Sequence, residues 1–312
     1  MQNKNPNSTF GIDINEFSQG VDFKTLASTI DFLYLRSSGS GSGRFRVDKK
    51  FLEFAKEARR YRIPVGAYHF AKPYYDLSTA DAQCDDFINI LQEAFGNKDY
   101  GDLFPVLDVE APVEEKMDTK VLINWILRFK NRFEKKTRRR LMLYTGLFFI
   151  ELYNDFKLPN GSQPLKNMPL WIAMYTSVPI NPPYPPNAGG WTRWRIWQYS
   201  ENQKVNGVSN PLDANWGPNN LDLLMQPKQV KGLNAYVEAG NLVITWNRNT
   251  DSDLLGYNIF QNGYWIGTVG KEDNSFRIRT SKLPVQKNLG TISIEAFDMD
   301  GETSQIRSKA YP

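Results

Sequence analysis

The sequence is poor in the two residue types that most often carry nucleophilic and metal chemistry. Its 312 residues include one cysteine, Cys84, and one histidine, His69. A lone cysteine excludes an internal disulfide, and a lone histidine excludes zinc sites that need several histidines. Cys84 lies in a stretch with helical spacing, which indicates a packed helix residue. We therefore predict neither a metal nor another cofactor.

Long apolar runs and a strong net charge are also missing. The longest apolar run, residues 141–153, is interrupted and too short to span a bilayer, and the first residues lack the apolar segment of a signal peptide. Lysine and arginine number 38 against 34 acidic residues, a net charge of +4 that is too mild to indicate nucleic-acid binding. We expect no membrane insertion and no nucleic-acid partner. A substrate outside the cytoplasm would require release by lysis, through a membrane pore formed by a holin, or on a virion.

The first half of the chain alternates strand-like and helix-like patterns. The predicted strands are residues 10–14, 32–36, 64–70, 104–109 and 141–145, and the predicted helices are residues 22–30, 47–61, 78–95, 118–136 and 147–153. Such alternation predicts parallel β/α units. Residues 170–175 and 193–199 then read as strands without helices between them. The pattern predicts an α/β barrel of five β/α units followed by bare strands.

A second domain is predicted from residue 227, where short alternating strands and turn signals recur about every ten residues. We divide the chain into an N-terminal tail, residues 1–9, a barrel, residues 10–226, and a small all-β, immunoglobulin-like sandwich, residues 227–312. The last segment resembles a fibronectin type III module, with Trp246 in the second strand and Tyr257 in the third. It departs from that family by an Ile where the corner Tyr usually stands. A spacer, a wall-binding module and an attachment domain for a virion all fit this segment.

Two carboxylates end an apolar run. Asp108 and Glu110 follow Phe-Pro-Val-Leu and, being two apart on a predicted strand, share one face with about 7 Å between their Cα atoms. Burial and mutual repulsion raise the pKa of at least one such acid, which is what general-acid cleavage of a glycosidic bond needs. A solvated acidic edge strand is the alternative reading. The buried character of the preceding run argues against it.

Two more acids fall at strand ends, Asp13 on the first strand and Asp213 on the last. Reactive groups of a parallel barrel collect at the carboxyl ends of its strands, so we expect four carboxylates in one cleft. Aromatic side chains near these segments are candidates for stacking on sugar rings, and His69 is expected to be a hydrogen-bonded wall of the cleft. The aromatic candidates are Tyr34, Tyr68, Phe70, Tyr144, Trp171, Tyr175 and Tyr199.

Six short motifs occur in one order along residues 10–225. They are Gly11-Ile12-Asp13-Ile14, Gly66-Ala67-Tyr68-His69-Phe70, Leu107-Asp108-Val109-Glu110, Leu170-Trp171-Ile172-Ala173, Trp197-Gln198-Tyr199-Ser200 and Leu212-Asp213-Ala214-Asn215. Together they resemble glycoside hydrolase family 25, the Chalaropsis-type lysozymes. The chain departs from the family pattern after the second strand, where residues 34–39 replace the usual Ile-Lys-Ala-Thr-Glu-Gly.

The resemblance implies a modified TIM-like (β/α)5β3 barrel that cleaves the β-1,4 bond between N-acetylmuramic acid and N-acetylglucosamine in bacterial peptidoglycan. It implies Glu110 as the general acid/base and Asp108 as its partner carboxylate. The flanking acids it implies are Asp13 and Asp213, and the motifs add two further sugar-binding residues, Gln198 and Asn215.

Three mechanisms fit a carboxylate pair. Direct attack needs the carboxyl groups about 5–5.5 Å apart and water activation about 6.5–9.5 Å, whereas a 2-acetamido group on the sugar allows substrate-assisted attack, which we favour. A family 18 chitinase is disfavoured because Val106 stands where its first Asp should be. The chain is predicted to be an active muramidase, either a phage-type endolysin or a virion-associated wall-degrading protein. The alternative is an inactive glycan-binding or structural virion protein on the same barrel.

Overall fold

The computed structural model describes residues 1–41, 43–176, 183–285 and 290–311. These residues form two compact units, Met1–Leu224 and Met225–Pro312, and each unit has its own apolar core. None of the helices in the described ranges combines the length and the apolar composition needed to cross a bilayer.

The first unit contains a closed barrel of eight strands. In chain order its strands are β1 (Phe10–Ile14), β2 (Phe32–Gly39), β4 (Val65–Phe70), β5 (Val106–Asp108), β6 (Met142–Gly146), β7 (Leu170–Ala173), β8 (Ile196–Gln203) and β9 (Leu212–Trp216), and a short strand β3 (Arg46–Val47) extends the sheet beside β2. Seven of the eight barrel strands run parallel to one another. The eighth, β9, runs antiparallel between β8 and β1. Pairing of β1 with β2 closes the sheet. The predicted α/β barrel is confirmed in this closed, eight-stranded form.

An α-helix follows each of the first five barrel strands. The helices are α1 (Phe23–Leu26), α2 (Phe51–Arg60), α3 (Ser78–Phe95), α4 (Thr119–Thr137) and α5 (Leu147–Leu152). Helix α1 is shorter than the predicted helix over residues 22–30. The chain turns after Leu26, where Ser and Thr side chains hydrogen-bond to backbone carbonyl groups instead of continuing the helix.

The two long helices show how the sequence builds the outer layer. The Asp118 carboxylate accepts hydrogen bonds from the first backbone N–H groups of α4 and begins that helix. Rings of the two helices pack on each other, with Phe87 and Phe129 centroids 6.3 Å apart. On the outside, Arg132 of α4 pairs with Asp85 of α3 at 2.6 Å. The apolar faces of both helices are therefore buried against the barrel.

The first nine residues, predicted to be a tail, are anchored on the barrel unit. The Met1 amino group donates to the Pro185 carbonyl at 2.9 Å, and the Gln2 amide donates to the Trp194 carbonyl at 2.8 Å. These contacts lie near the amino ends of the parallel strands, away from the rim that holds the acids.

The second unit consists of two antiparallel sheets. Its strands are β10 (Lys231–Glu238), β11 (Asn241–Asn247), β12 (Leu254–Gln261), β13 (Tyr264–Gly270), β14 (Ser275–Arg279), β15 (Gly290–Asp298) and β16 (Arg307–Tyr311). One sheet has the order β10-β11-β14 and the other has the order β13-β12-β15-β16. Both sheets contribute to one buried cluster, in which the rings of Trp246 and Tyr257 lie 5.2 Å apart.

Candidate active site

A cleft of about 340 Å3 opens at the rim where the parallel barrel strands end. Five of its lining side chains are acidic and one, Arg36, is basic. The lining residues are Asp13, Asn15, Arg36, Tyr68, Phe70, Asp108, Glu110, Tyr144, Trp171, Tyr175, Gln198, Glu201 and Asp213. The structure thus brings together the four acids that the sequence singled out.

Asp13 and Asp213 face each other across two neighbouring strands. Asp13 lies near the end of β1, and Asp213 lies directly opposite it on β9. Because β9 runs antiparallel, a residue near its beginning reaches the same rim as a residue near the end of β1. The register of this strand pair, which joins residues 200 positions apart, brings the two acids together.

Two amide side chains donate to the same oxygen of Asp13. Asn215 Nδ2 lies 2.8 Å and Gln198 Nε2 lies 3.0 Å from Asp13 Oδ2. The indole N–H of Trp171 donates to Asn215 Oδ1 at 2.9 Å, which fixes which end of that amide faces Asp13. The carboxylate of Asp13 is held in place from two sides.

Two tyrosines fix the other amide in the same way. The hydroxyl groups of Tyr144 and Tyr175 donate to Gln198 Oε1 at 2.9 and 3.1 Å. With its oxygen occupied, Gln198 presents its NH2 group to Asp13. Both tyrosines also line the cleft, so each contributes to its surface while its hydroxyl group orients Gln198.

The Asp13 and Asp213 carboxyl groups share a proton. Burial raises the pKa of Asp213 to about 9, and the charge of Asp13 is the second cause. Burial also raises the pKa of Asp13, but hydrogen bonds from Asn215, Gln198 and Asp213 oppose that rise. At neutral pH Asp213 therefore carries the proton and donates it in a hydrogen bond to Asp13.

The Asp108 and Glu110 carboxyl groups are both hard to ionise. Burial raises the pKa of Asp108 well above its usual value, and the charge of Glu110 is the second cause. Burial raises the pKa of Glu110 as well, helped by the charge of Asp13. Asp108 is only 4% exposed, and its Oδ1 atom has no hydrogen-bond partner among the residues that the structure describes. This buried oxygen is available to a donor that enters the cleft.

The predicted placement of Asp108 and Glu110 on one strand is wrong. Strand β5 ends at Asp108, and Glu110 lies beyond it. The chain stays beside β6 for one more residue, because the Val109 N–H donates to the Tyr144 carbonyl at 3.0 Å, and then leaves the sheet. Both carboxyl groups still line the cleft, but a loop rather than the strand pleat positions Glu110.

Six of the predicted sugar-binding residues line the cleft, and four do not. Those on the lining are Tyr68, Phe70, Tyr144, Trp171, Tyr175 and Gln198. Asn215, fully buried, acts on the cleft through Asp13 rather than from its surface. Tyr199 instead stacks on Trp216, with centroids 5.1 Å apart.

The predictions that Tyr34 and His69 line the cleft are also wrong. Tyr34 fills the barrel interior, where its hydroxyl donates to the Phe104 carbonyl at 3.0 Å and its ring lies 4.7 Å from that of Trp171. His69 faces outward, between the barrel and its helices, and bonds to Ser38 Oγ at 2.9 Å and Gln83 Oε1 at 3.1 Å. It is therefore not a wall of the cleft.

Three lining residues were not predicted: Asn15, Arg36 and Glu201. Asn15 is two positions after Asp13, and the strand period of two is a signal that could have found it. Arg36 lies in the segment that departs from the family pattern, and its Nε donates to Asp48 at 2.9 Å. Glu201 was missed because β8 continues to Gln203, four residues beyond the predicted strand.

Comparisons with known proteins agree with this geometry. The model of the glycosyl hydrolases family 25 matches residues 12–208. Lysozyme M1 of Streptomyces globisporus is 28% identical over 211 residues, 66% of this chain and 66% of that protein. The N,O-diacetylmuramidase of Arthroderma benhamiae is 29% identical over 206 residues, 61% of this chain and 80% of that protein. The chain thus spans just under two thirds of the Streptomyces lysozyme.

One solved structure is similar along the whole chain. The crystal structure of the Clostridium perfringens spore cortex lytic enzyme SleM has a TM-score of 0.96 and 55% sequence identity, and the match covers 99% of each chain. The similarity extends through the second unit, which the family model does not reach.

Proposed function

Because this chain belongs to the glycosyl hydrolases family 25, we propose that it is a muramidase that hydrolyses the β-1,4 bond between N-acetylmuramic acid and N-acetylglucosamine in peptidoglycan. The observation that carries the proposal is one cleft in which Asp108 and Glu110 are both resistant to ionisation beside Asp13 and Asp213. A glycosidase needs such a protonated acid at neutral pH to release its leaving group.

Glu110 is the proposed general acid. It is less buried than Asp108, and its raised pKa keeps a proton available at the cleft surface. Its proton passes to the glycosidic oxygen as the bond to the anomeric carbon breaks. The resulting carboxylate then takes a proton from water as that water attacks the same carbon, which returns Glu110 to its protonated form.

Asp108 is the proposed partner of the 2-acetamido group. An acetamido N–H can donate to Oδ1 of Asp108, which receives no hydrogen bond from the described residues. Accepting this bond stabilises the ionised form of Asp108, so substrate binding favours an ionised Asp108 beside a protonated Glu110. The acetamido carbonyl oxygen then attacks the anomeric carbon, and the N–H proton moves to Asp108 as a neutral oxazoline forms. Asp108 returns this proton to the nitrogen when water opens the oxazoline.

Asp13 and Asp213 are proposed to stabilise positive charge. The sugar ring gains oxocarbenium character as the glycosidic bond breaks, and an ionised carboxylate fixed beforehand lowers the energy of that state. Asp13 accepts hydrogen bonds from three donors, which favour its ionised form. Asp213 is the donor that keeps it in place.

The biological setting is proposed from the similar proteins. The 55% identity to a spore cortex lytic enzyme favours cortex peptidoglycan as the substrate. A phage-type endolysin or virion-associated protein, released by lysis, through a holin or on a particle, stays a prediction. For the second unit we propose a fibronectin type III-like sandwich that contacts a wall polymer or a virion, and for the first unit the (β/α)5β3 barrel that the helix and strand order supports.

The test is the loss of turbidity of purified cell walls and spore cortex, with mass analysis of the new reducing ends. Muramic acid at the reducing end supports a muramidase, whereas glucosamine there contradicts it. Glu110→Gln should abolish lysis and leave the melting temperature within a few degrees of the wild-type value. An unchanged rate in that variant refutes its role. Binding without any lysis by the wild-type protein supports the alternative of an inactive glycan-binding protein.

A further inference from the structure

Large apolar side chains that stay exposed on the barrel unit are concentrated on one face. Among its described residues they are Phe17, Leu52, Tyr75, Val113 and Phe148. Four of them come within five residues of the carboxyl end of a barrel strand, on the rim that carries the acids, whereas Leu52 comes thirteen residues after β2 ends. Exposed apolar side chains gathered on one face of a protein mark a binding surface.

Two of these rings lie on opposite sides of the cleft. Phe17 comes three residues after β1 ends, and Phe148 comes two residues after β6 ends. Around the closed barrel, β1 and β6 are four strands apart in either direction. Because each ring is so close in sequence to its strand end, the two rings flank the mouth of the barrel from opposite sides.

The structure holds Phe17 beside the cleft in a defined turn. Its N–H donates to Asn15 Oδ1 at 2.9 Å, and the Arg36 guanidinium lies 5.3 Å from the centre of its ring. Both partners line the cleft. The ring is nevertheless 67% exposed. A rigid turn that displays an apolar ring to solvent at the edge of a cleft is organised for a ligand rather than for folding.

Phe148 is held as firmly on the other side. It lies in the first turn of α5, and its ring covers Gly146, where a Cβ atom would be only 2.8 Å from two ring carbons. The ring also meets the buried Phe149 edge-on, with centroids 6.3 Å apart and planes at 79°. Phe148 is nevertheless 54% exposed, because these contacts cover only one side of its ring.

We propose that Phe17 and Phe148 are glycan platforms that bind sugars of the substrate strand on either side of the cleaved bond, outside the cleft itself. A pyranose ring presents an apolar face of C–H groups that stacks on an aromatic ring, while its hydroxyl groups stay hydrated. The occupant is the glycan strand because it must pass through the cleft that the two rings flank. This inference rests on the proposed function, and it predicts a preference for long strands over short oligosaccharides.

The experiment compares Phe17→Ala and Phe148→Ala with the control Leu52→Ala, which removes an apolar side chain that is 40% exposed on helix α2. Each protein is assayed on long glycan strands freed of peptide and on a tetrasaccharide as the short substrate. Each Phe variant should raise KM on long strands about threefold to tenfold with kcat unchanged, and change the tetrasaccharide constants little. Leu52→Ala should change neither. Phe17→Tyr and Phe148→Tyr, which keep an aromatic ring, should have the wild-type KM.

The outcomes separate this inference from the proposed function. If the wild-type protein cleaves both substrates and the Phe variants either match Leu52→Ala or weaken both substrates equally, the platforms are refuted. If the wild-type protein cleaves neither, the proposed function fails. Co-sedimentation of Glu110→Gln with insoluble peptidoglycan then tests the platforms by binding alone, with and without Phe17→Ala and Phe148→Ala. Equal sedimentation of these proteins overturns the inference.

Discussion

The hydrogen-bonded pair of Asp13 and Asp213 shows how this cleft holds two buried carboxyl groups close together. Two carboxyl groups placed opposite each other on paired strands cannot both ionise without strong repulsion. Asn215 and Gln198 select which one keeps the charge, since both donate to Asp13. The arrangement supplies a fixed negative charge to the cleft, but a buried acid that stays protonated at neutral pH reduces the stability of the fold.

This cost predicts that Asp213→Asn stabilises the protein as the pH rises. The wild-type side chain has a pKa of about 9 in the folded protein, above its value in the unfolded chain, so its contribution is present below about pH 4 and is lost as the pH rises towards 9. Asn keeps a donor to Asp13 and does not titrate. We expect a gain of about 1–2 kcal/mol at pH 8, because partial exposure screens the effect, and almost none at pH 4.

Urea unfolding of both proteins at the two pH values measures this difference. A gain in stability that is equal at pH 4 and pH 8 would contradict the assignment of the proton to Asp213.

His69 is a second residue whose ionisation the fold opposes. Burial lowers its pKa to about 4, since the ring is enclosed by aromatic side chains of α3 and α4. The strand period already implied this outward position, because Tyr68 and Phe70 on either side point into the cleft. A neutral histidine there is a packed core residue.

His69→Gln is therefore expected to make the protein less sensitive to acid. A lowered pKa means that the folded protein binds fewer protons than the unfolded chain, so stability falls as the pH drops from about 6.5 to 4. The wild-type free energy of unfolding should fall by about 2–3 kcal/mol more than that of the variant between pH 7 and pH 4.5. Chemical denaturation at both pH values checks this. Parallel pH profiles would show that His69 does not titrate in this range.

At the scale of elements, the two long helices followed from the sequence more closely than the short strand β5 did. Helix α3 has the predicted bounds, and α4 differs from its prediction by one residue at each end, because the repeat of apolar residues extends over several turns. Strand β5 has only three residues, so the departure of Glu110 from the sheet depends on one backbone contact to Tyr144. Sequence patterns cannot resolve a contact between separate strands.

The barrel interior gives a prediction at this scale. Gly66 on β4 faces Tyr34 on β2, and a Cβ atom at Gly66 would lie 2.4 Å from the Tyr34 ring. Gly66→Ala should therefore destabilise the protein by about 1–3 kcal/mol, because the ring has no free space to move into. Thermal unfolding measures the loss.

A matched control separates this clash from an effect of the alanine itself. Gly270 on β13, like Gly66, has no positive φ, and an added Cβ there would come no closer than 3.6 Å to its nearest neighbour, so Gly270→Ala reports the effect of the alanine without a clash. If Gly66→Ala proves as stable as the wild-type protein, the tight packing between β2 and β4 is wrong.

At the scale of the whole molecule, the acids were foreseeable but their partnership was not. Asp13, Asp108, Glu110 and Asp213 stand out in the sequence because each falls at the edge of an apolar run. Closure of the barrel decides which of them share a proton, and closure depends on the register between β1 and β9. The change to short alternating strands after the barrel likewise predicted a second unit. The order of strands in its sheets could be read only from the structure.

The separation of the two cores predicts that residues 1–224 fold without the second unit. The apolar cluster of the barrel unit contains no residue of the second unit, and all the residues lining the cleft lie before residue 224. A domain with its own core folds independently. The fragment should unfold in one cooperative transition and cleave a soluble tetrasaccharide with a kcat/KM within about twofold of the full chain. If the second unit binds the wall, the fragment should lose activity only on insoluble peptidoglycan, and an unfolded or inactive fragment would show that the barrel depends on residues beyond 224.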